Sequence, residues 1–149
     1  MTVNVDKLKA FLLSVDKSFP TPLSEKQDIS ALAEKFAEKA TLCCVEKNGK
    51  ILAMVAGYTE NVTENRGYIS VVAALPEARG RGFASRMVKE FIEIAASKGL
   101  SSVHLYTVRE NIPAVKMYEK LGFLEWSCEN EQRPKDLHLI LEIRKETKE

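Results

Sequence analysis

The dipeptide Asn48-Gly49 lies between two apolar runs, TLCCVEK and KILAMVAGY. Asn-Gly is the pair best suited to the two positive-φ positions of a type I′ turn, whose twist matches that of the strands it joins. An antiparallel hairpin is therefore expected here, and the rest of the chain has to pack around a sheet. A third strand, GYISVVAAL, follows and runs to Pro76, where the missing N–H ends the ladder.

The flanking segments change period. Leu8, Phe11, Leu12, Val15 and Phe19 recur at steps of three and four, the spacing of an amphipathic helix. Pro20 and Pro22 stop it. Ser24 followed by Gln27 resembles a capping box that opens a second helix, with Ile29, Leu32, Ala33 and Phe36 inward. Beyond the third strand, a helix is expected from Gly82 to Lys98, closed by Gly99. SSVHLYTV reads as a strand. Pro113 suits the first turn of a short helix ending at Gly122. FLEWSCE and DLHLILEIR are two more strands, separated by a polar turn around Arg133 and Pro134. The order α-α-β-β-β-α-β-α-β-β predicts an α/β (α+β) fold, a mixed sheet with helices on both faces.

Composition bounds the function. The chain has 149 residues, 45% hydrophobic and 29% charged, which fits one globular domain over 1–149. Lys and Arg number 22 against 21 Asp and Glu, so bulk charge makes no case for nucleic acid. No apolar run approaches a membrane span, and MTVNVDKLKAF lacks a signal-peptide core, so a cytoplasmic location is expected. Cys43, Cys44 and Cys128 show no metal spacing and read as reduced, mostly buried thiols. His104 and His138 have no Cys or carboxylate cluster around them in sequence, so no metal is expected.

The segment LPEARGRGFASRMVKEF carries the clearest chemical signal. Gly80 and Gly82 alternate with Arg79, Arg81 and Phe83 just before a helix. Glycines let the backbone approach a ligand and expose its N–H groups, and a helix N-terminus adds unpaired donors and partial positive charge. A dinucleotide fingerprint fails, because Ser85 replaces the third glycine and no acidic residue closes the next strand. A P-loop fails, because no Lys-Ser or Lys-Thr follows the glycines. A nest for a pyrophosphate remains, alongside a plain strand-to-helix turn with solvated arginines.

VVAALPEARGRGFASRMV followed by LYTVRENIPAVKMYEKLGF resembles the GCN5-related N-acetyltransferases. Arg79-x-x-Gly82-x-Ala84 matches the loop with which that family grips the pyrophosphate of acetyl-CoA. Asn111, Tyr118, Gly122 and Phe123 match its second signature in spacing. The resemblance implies a mostly antiparallel central sheet of about six to seven strands. It also implies acetyl-CoA as cosubstrate and direct acetyl transfer to a primary amine in a ternary complex. A non-catalytic acyl-CoA-binding module of the same fold is the alternative.

The resemblance implies roles for single residues. Val72, Ala73 and Ala74 would offer backbone groups to the pantetheine arm. Arg79, Gly80, Arg81, Gly82, Phe83, Ala84 and Ser85 would hold the pyrophosphate. Asn111 would fix the ligand or cap its helix. Tyr118 would lie near the acetyl sulfur and protonate the departing thiolate, since a phenol of pKa about 10 stays protonated at neutral pH. Some members carry a glutamate base where this chain has Tyr106, so the base is sought in water, Glu60 or Glu64. His104 shares strand parity with Tyr106 and either faces the cleft or packs in the sheet. Tyr58, Glu60, Tyr68 and Tyr106 are expected on the acceptor side. The acceptor is expected to be a small-molecule amine in preference to a protein, and a homodimer is admitted.

Overall fold

The computed structural model describes residues 4–19, 22–60, 62–127, 131 and 133–143. Pro20, Cys128 and the end of the last expected strand at Arg144 lie outside the described residues. Helix α1, Val5–Val15, is capped by Asn4, whose side chain accepts from the N–H groups of Asp6 and Lys7. It buries Leu8, Phe11, Leu12 and Val15. It then tightens into one 3₁₀ turn, Asp16–Ser18, and Phe19 is extended (φ −87°, ψ 149°). Phe19, expected on the helical face, therefore lies beyond it.

The corner after α1 has a specific cause. The Asp16 carboxylate accepts the Ser24 N–H at 2.9 Å and its hydroxyl at 2.6 Å. Ser24 sits in a short extra helix, α2, Leu23–Lys26. The expected capping box is thus corrected: the Ser24 hydroxyl serves Asp16, and helix α3, Ile29–Lys39, opens at Asp28, which accepts the Ser30 N–H. The long-range hydrogen bond outcompetes the local motif.

Strands β1, Thr41–Lys47, and β2, Lys50–Tyr58, meet at Asn48 (φ 54°) and Gly49 (φ 75°) as the hairpin signal requires. After them come β3, Arg66–Ala74, helix α4, Phe83–Ser97, β4, Ser102–Thr107, and helix α5, Ile112–Leu121. The described chain closes with β5, Leu124–Glu125, and β6, Leu137–Glu142. FLEWSCE supplies only two ladder residues among those described, although the Trp126 N–H still donates to the His138 carbonyl at 2.8 Å. The six described strands run β1-β2-β3-β4-β6-β5, and only β3 and β4 are parallel.

Each sheet face has its own core. Helices α1 and α3 cover β1–β3 with Phe11, Phe36, Met54 and Val71. Helix α4 covers the opposite face, where Phe91, Val103, Leu105 and Phe123 gather. Phe36, Phe91 and Phe123 are fully buried, each worth about 1.5–3 kcal/mol of hydrophobic transfer. Over β4 and β6 the α1–α3 face carries a patch of rings: His104, Tyr106, Trp126 and His138. Among the described residues, no helix is long and apolar enough to cross a membrane.

Gly57 shapes the centre of the sheet. A Cβ there would run into the Tyr68 carbonyl and the Phe91 ring. Between Ala56 and Gly57 the β2–β3 register slips, leaving Ser70 without an opposite residue. This is a β-bulge, which bends β3 and re-aims its last residues, Val71–Ala74.

Candidate active site

Strands β3 and β4 pair from Arg66–Ser102 to Ile69–Leu105 and then part. Beyond the bulge, Val71–Ala74 remain paired to β2 on one edge, so their other edge faces the gap. The gap is a cleft of about 820 Å³. Ser70, Val72, Ala73 and Ala74 line one wall; Leu105, Tyr106 and Thr107 line the other. The small side chains that ended the third strand in sequence leave backbone groups within reach of a ligand.

The Arg/Gly loop closes one end. Gly80 and Gly82 have φ of +81° and +77°, a conformation that L side chains rarely adopt. A Cβ at either would point into open space. The first helical bond of α4 runs from the Arg86 N–H to the Gly82 carbonyl. The N–H groups of Phe83, Ala84 and Ser85 thus have no acceptor within the helix, and Gly82 provides no side-chain cap. Ala84 brings this helix end to the cleft. Arg81 is exposed beside it. Arg79 donates to the Ala74 carbonyl at 3.2 Å and to the Ser18 hydroxyl at 2.7 Å, tying the loop to β3 and to the turn after α1. In this structure its guanidinium braces the cleft mouth.

Helix α5 supplies the floor. Tyr118 lines the cleft and is 5% exposed, with its ring edge-on to Phe123 at 5.7 Å. Burial pushes its phenol well above the usual tyrosine range. Among the described residues its hydroxyl has no hydrogen-bond partner. Asn111 occupies the N-cap position of α5, but its side chain makes no capping bond and lines the cleft. Of the two jobs expected for Asn111, capping is not the one it performs here.

The acceptor-side expectations divide. Tyr68 and Tyr106 line the cleft, together with Lys26 and Gln27 from the α2 segment and Arg133 and Asp136 before β6. Tyr58 does not: it packs on Phe36 and Lys35 on the α3 side, where burial raises its phenol. Glu60 pairs with Lys98 and Glu64 with Arg66, both at the surface away from the cleft lining. Neither glutamate is positioned as a base. The physical reason is that the segment before β3 packs toward the C-terminal end of α4, opposite the cleft mouth. His104 is a packed strand histidine, hydrogen-bonded through Nδ1 to His138 Nε2 at 2.8 Å.

Several lining residues carried no sequence signal. Lys26 and Gln27 reach the cleft because of the Asp16–Ser24 corner. Arg133 and Asp136 form a pair at 2.6 Å, and the Arg133 guanidinium lies 4.7 Å over the Tyr106 ring. His138 stacks on Tyr106 with centroids 4.1 Å apart. The register Tyr106–His138 in the β4–β6 pair is the one signal that points to this cluster.

The cleft fits a long ligand with a phosphate end and an amide-bearing arm. The open helix N-terminus suits the former, and the free β3 edge offers ladder hydrogen bonds to the latter. The sequence model of the acetyltransferase (GNAT) family matches residues 9–123. The chain belongs to the GNAT acetyltransferase family. This GNAT chain is 33% identical over 118 residues to a mycothiol acetyltransferase of Arthrobacter sp. (strain FB24), covering 74% of this chain but 36% of the relative. It thus spans about a third of that relative's length. It is 33% identical over 64 residues to N-alpha-acetyltransferase 30 of Schizosaccharomyces pombe, 43% of either chain. Its fold matches the PaiA N-acetyltransferase of Thermoplasma acidophilum, solved in complex with coenzyme A, with a TM-score of 0.70 at 13% identity over 96% of this chain and 97% of that one.

Proposed function

We propose that this GNAT chain is an acetyl-CoA-dependent N-acetyltransferase, passing acetyl directly to a primary amine in a ternary complex. The observation that carries the reading is the parting of β3 and β4 over Tyr118, whose ring is buried and which lines the cleft. The β3 edge at Val72, Ala73 and Ala74 holds the pantetheine arm. The loop Arg79–Gly82 and the N–H groups of Phe83, Ala84 and Ser85 hold the pyrophosphate, with Arg81 adding charge.

When bound, acetyl-CoA supplies an acetyl group already activated as a thioester. Backbone N–H groups of the β3 edge stabilise the negative charge that develops on its oxygen. Tyr118, kept protonated by burial, donates its proton to the departing sulfur. Asn111 orients the ligand beside it. Cys43 and Cys44 lie on β1, and burial pushes their thiols up to about 12 and about 11. Neither lines the cleft, which favours direct transfer over an acetylated cysteine.

The acceptor enters between the α2 segment and the ring patch, past Tyr68 and Tyr106. A small-molecule amine suits a cleft of this size. A panel of amines, amino sugars and peptides, scored by free thiol released from acetyl-CoA, tests the reading. Amine-dependent release supports it, while tight CoA binding with no release by any amine favours the non-catalytic module.

A further inference from the structure

Tyr106 stands on the cleft wall, and its hydroxyl donates to Glu131 Oε2 at 2.6 Å. The other carboxylate oxygen, Oε1, lies 2.8 Å from His138 Nδ1. His138 Nε2 in turn lies 2.8 Å from His104 Nδ1. Four side chains from two strands and the segment before β6 form one hydrogen-bonded line leading away from the cleft.

The transferase reading leaves one proton unplaced. An amine reaches neutral solution as an ammonium ion and must shed a proton to attack. Tyr118 is committed as an acid, and Asp136 is engaged by Arg133 at 2.6 Å. Glu60 and Glu64 stand elsewhere. A tyrosine alone is a poor base at neutral pH, but one already bonded to a carboxylate can relay.

We propose that Glu131, acting through the Tyr106 hydroxyl, accepts the proton that the acceptor amine loses. The amine N–H bond breaks as a new O–H bond forms at Tyr106 Oη. The original Tyr106 O–H bond breaks as one forms at Glu131 Oε2. Tyr106 is unchanged, Glu131 carries the proton, and solvent takes it after product leaves. A carboxylate is a weaker base than an amine, so this first transfer is drawn forward as attack consumes the free amine. The second proton, which nitrogen loses once bonded to the acetyl carbon, restores Tyr118 after its own proton has left with the sulfur. Tyr106 touches the acceptor; Glu131 acts through it.

The surroundings hold Glu131 to this job. His138 Nδ1–H and the Arg133 N–H, 3.1 Å from Oε2, fix the carboxylate. His104 is pulled down to about 4, first by burial and then by the charges of His138 and Arg66. It therefore stays neutral at working pH and serves as a hydrogen-bonding partner for His138. Tyr68 packs on His104 with ring centroids 5.1 Å apart, Arg66 lies 4.5 Å over the neighbouring Trp126 ring, and Arg133 lies 4.7 Å over the Tyr106 ring.

This inference rests on the transferase reading, and the experiment separates the two. Glu131→Gln and Tyr106→Phe are compared with wild type for acetyl-CoA affinity, thermal midpoint and kcat across pH. Two acceptors are used: an accepted amine that is protonated at neutral pH and an analogue of low enough pKa to be already neutral. Both variants are expected to keep acetyl-CoA affinity and to fold, with a midpoint lowered by the hydrogen bonds they lose, while kcat for the protonated amine falls roughly 10²–10⁴-fold. Their kcat should then climb with the free-amine fraction, and the loss should shrink for the neutral amine. If both variants keep wild-type kcat and pH profile, the relay is overturned and the transferase reading stands. Equal losses for both amines overturn it too, since pinning the segment before β6 would explain them. Absence of turnover by wild type with every amine refutes the transferase reading and the relay with it.

Discussion

Replacing Tyr118 with Phe separates packing from chemistry, because the structure gives the ring and the hydroxyl different tasks. The ring is 95% buried and meets Phe123 edge-on at 5.7 Å, and Phe reproduces that contact. The hydroxyl has no partner among the described residues, so its removal breaks no hydrogen bond. No buried side-chain polar atom among the described residues lacks a partner, so the hydroxyl is open to the cleft, and Tyr118→Phe should melt close to the wild-type temperature. Turnover should fall. Loss of a positioned acid costs roughly 10²–10⁴-fold, or about 2.7–5.4 kcal/mol of transition-state stabilisation. The fall belongs in kcat, with KM for acetyl-CoA little changed, since the proton is shared only as sulfur departs. A thiol-release assay against the best amine reads it, and an acyl donor with a more acidic thiol should narrow the gap. Near-full turnover by the Phe variant would refute the reasoning and leave Tyr118 a core residue.

Gly82→Val should fold with a cost of about 1–2 kcal/mol from its positive φ, since its side chain meets open space. Calorimetry should nonetheless find CoA binding largely abolished, and tight binding by the folded variant would count against the nest. Asn111→Ala should weaken acetyl-CoA but stay clear of the about 0.5–2 kcal/mol that a lost cap costs, because Asn111 makes no capping bond. Urea titrations should show stability falling as pH drops from about 6.5, the ordinary histidine value, toward about 4, the native value of His104. The sign follows from linkage: over that window the unfolded chain takes up a proton that native His104 refuses. His104→Asn should flatten the slope, and an unchanged slope would show that another group causes it.

The elements whose cause is local were legible in the sequence. The Asn48-Gly49 turn set the end of β1 and the start of β2, and Gly99 and Gly122 marked the ends of α4 and α5 by their need for positive φ. The loop and the strand end that frame the cleft followed from the same kind of signal, glycines before a helix and small residues before Pro76. What escaped was held by long-range contacts. Ser24 read as a cap because nothing local reveals that Asp16, eight residues back, takes its hydroxyl. Glu60 and Glu64 looked suitable as bases by charge alone, yet Lys98 and Arg66 engage them outside the cleft. Glu131 sits in a polar stretch without periodicity and reaches Tyr106 across 25 positions. Only pairing DLHLILEIR against SSVHLYTV in register brings His138 opposite Tyr106 and shows where that stretch must lie.

The proposed reaction is direct transfer from acetyl-CoA to an amine within the cleft between β3 and β4. Initial rates measured while both acetyl-CoA and the best amine are varied, with thiol and N-acetylated product quantified together, test it most directly. Direct transfer requires thiol release that depends on the amine, equals the product formed, and gives intersecting double-reciprocal lines. Thiol release without amine, parallel lines from an acetylated enzyme, or no amide product from any acceptor would contradict it.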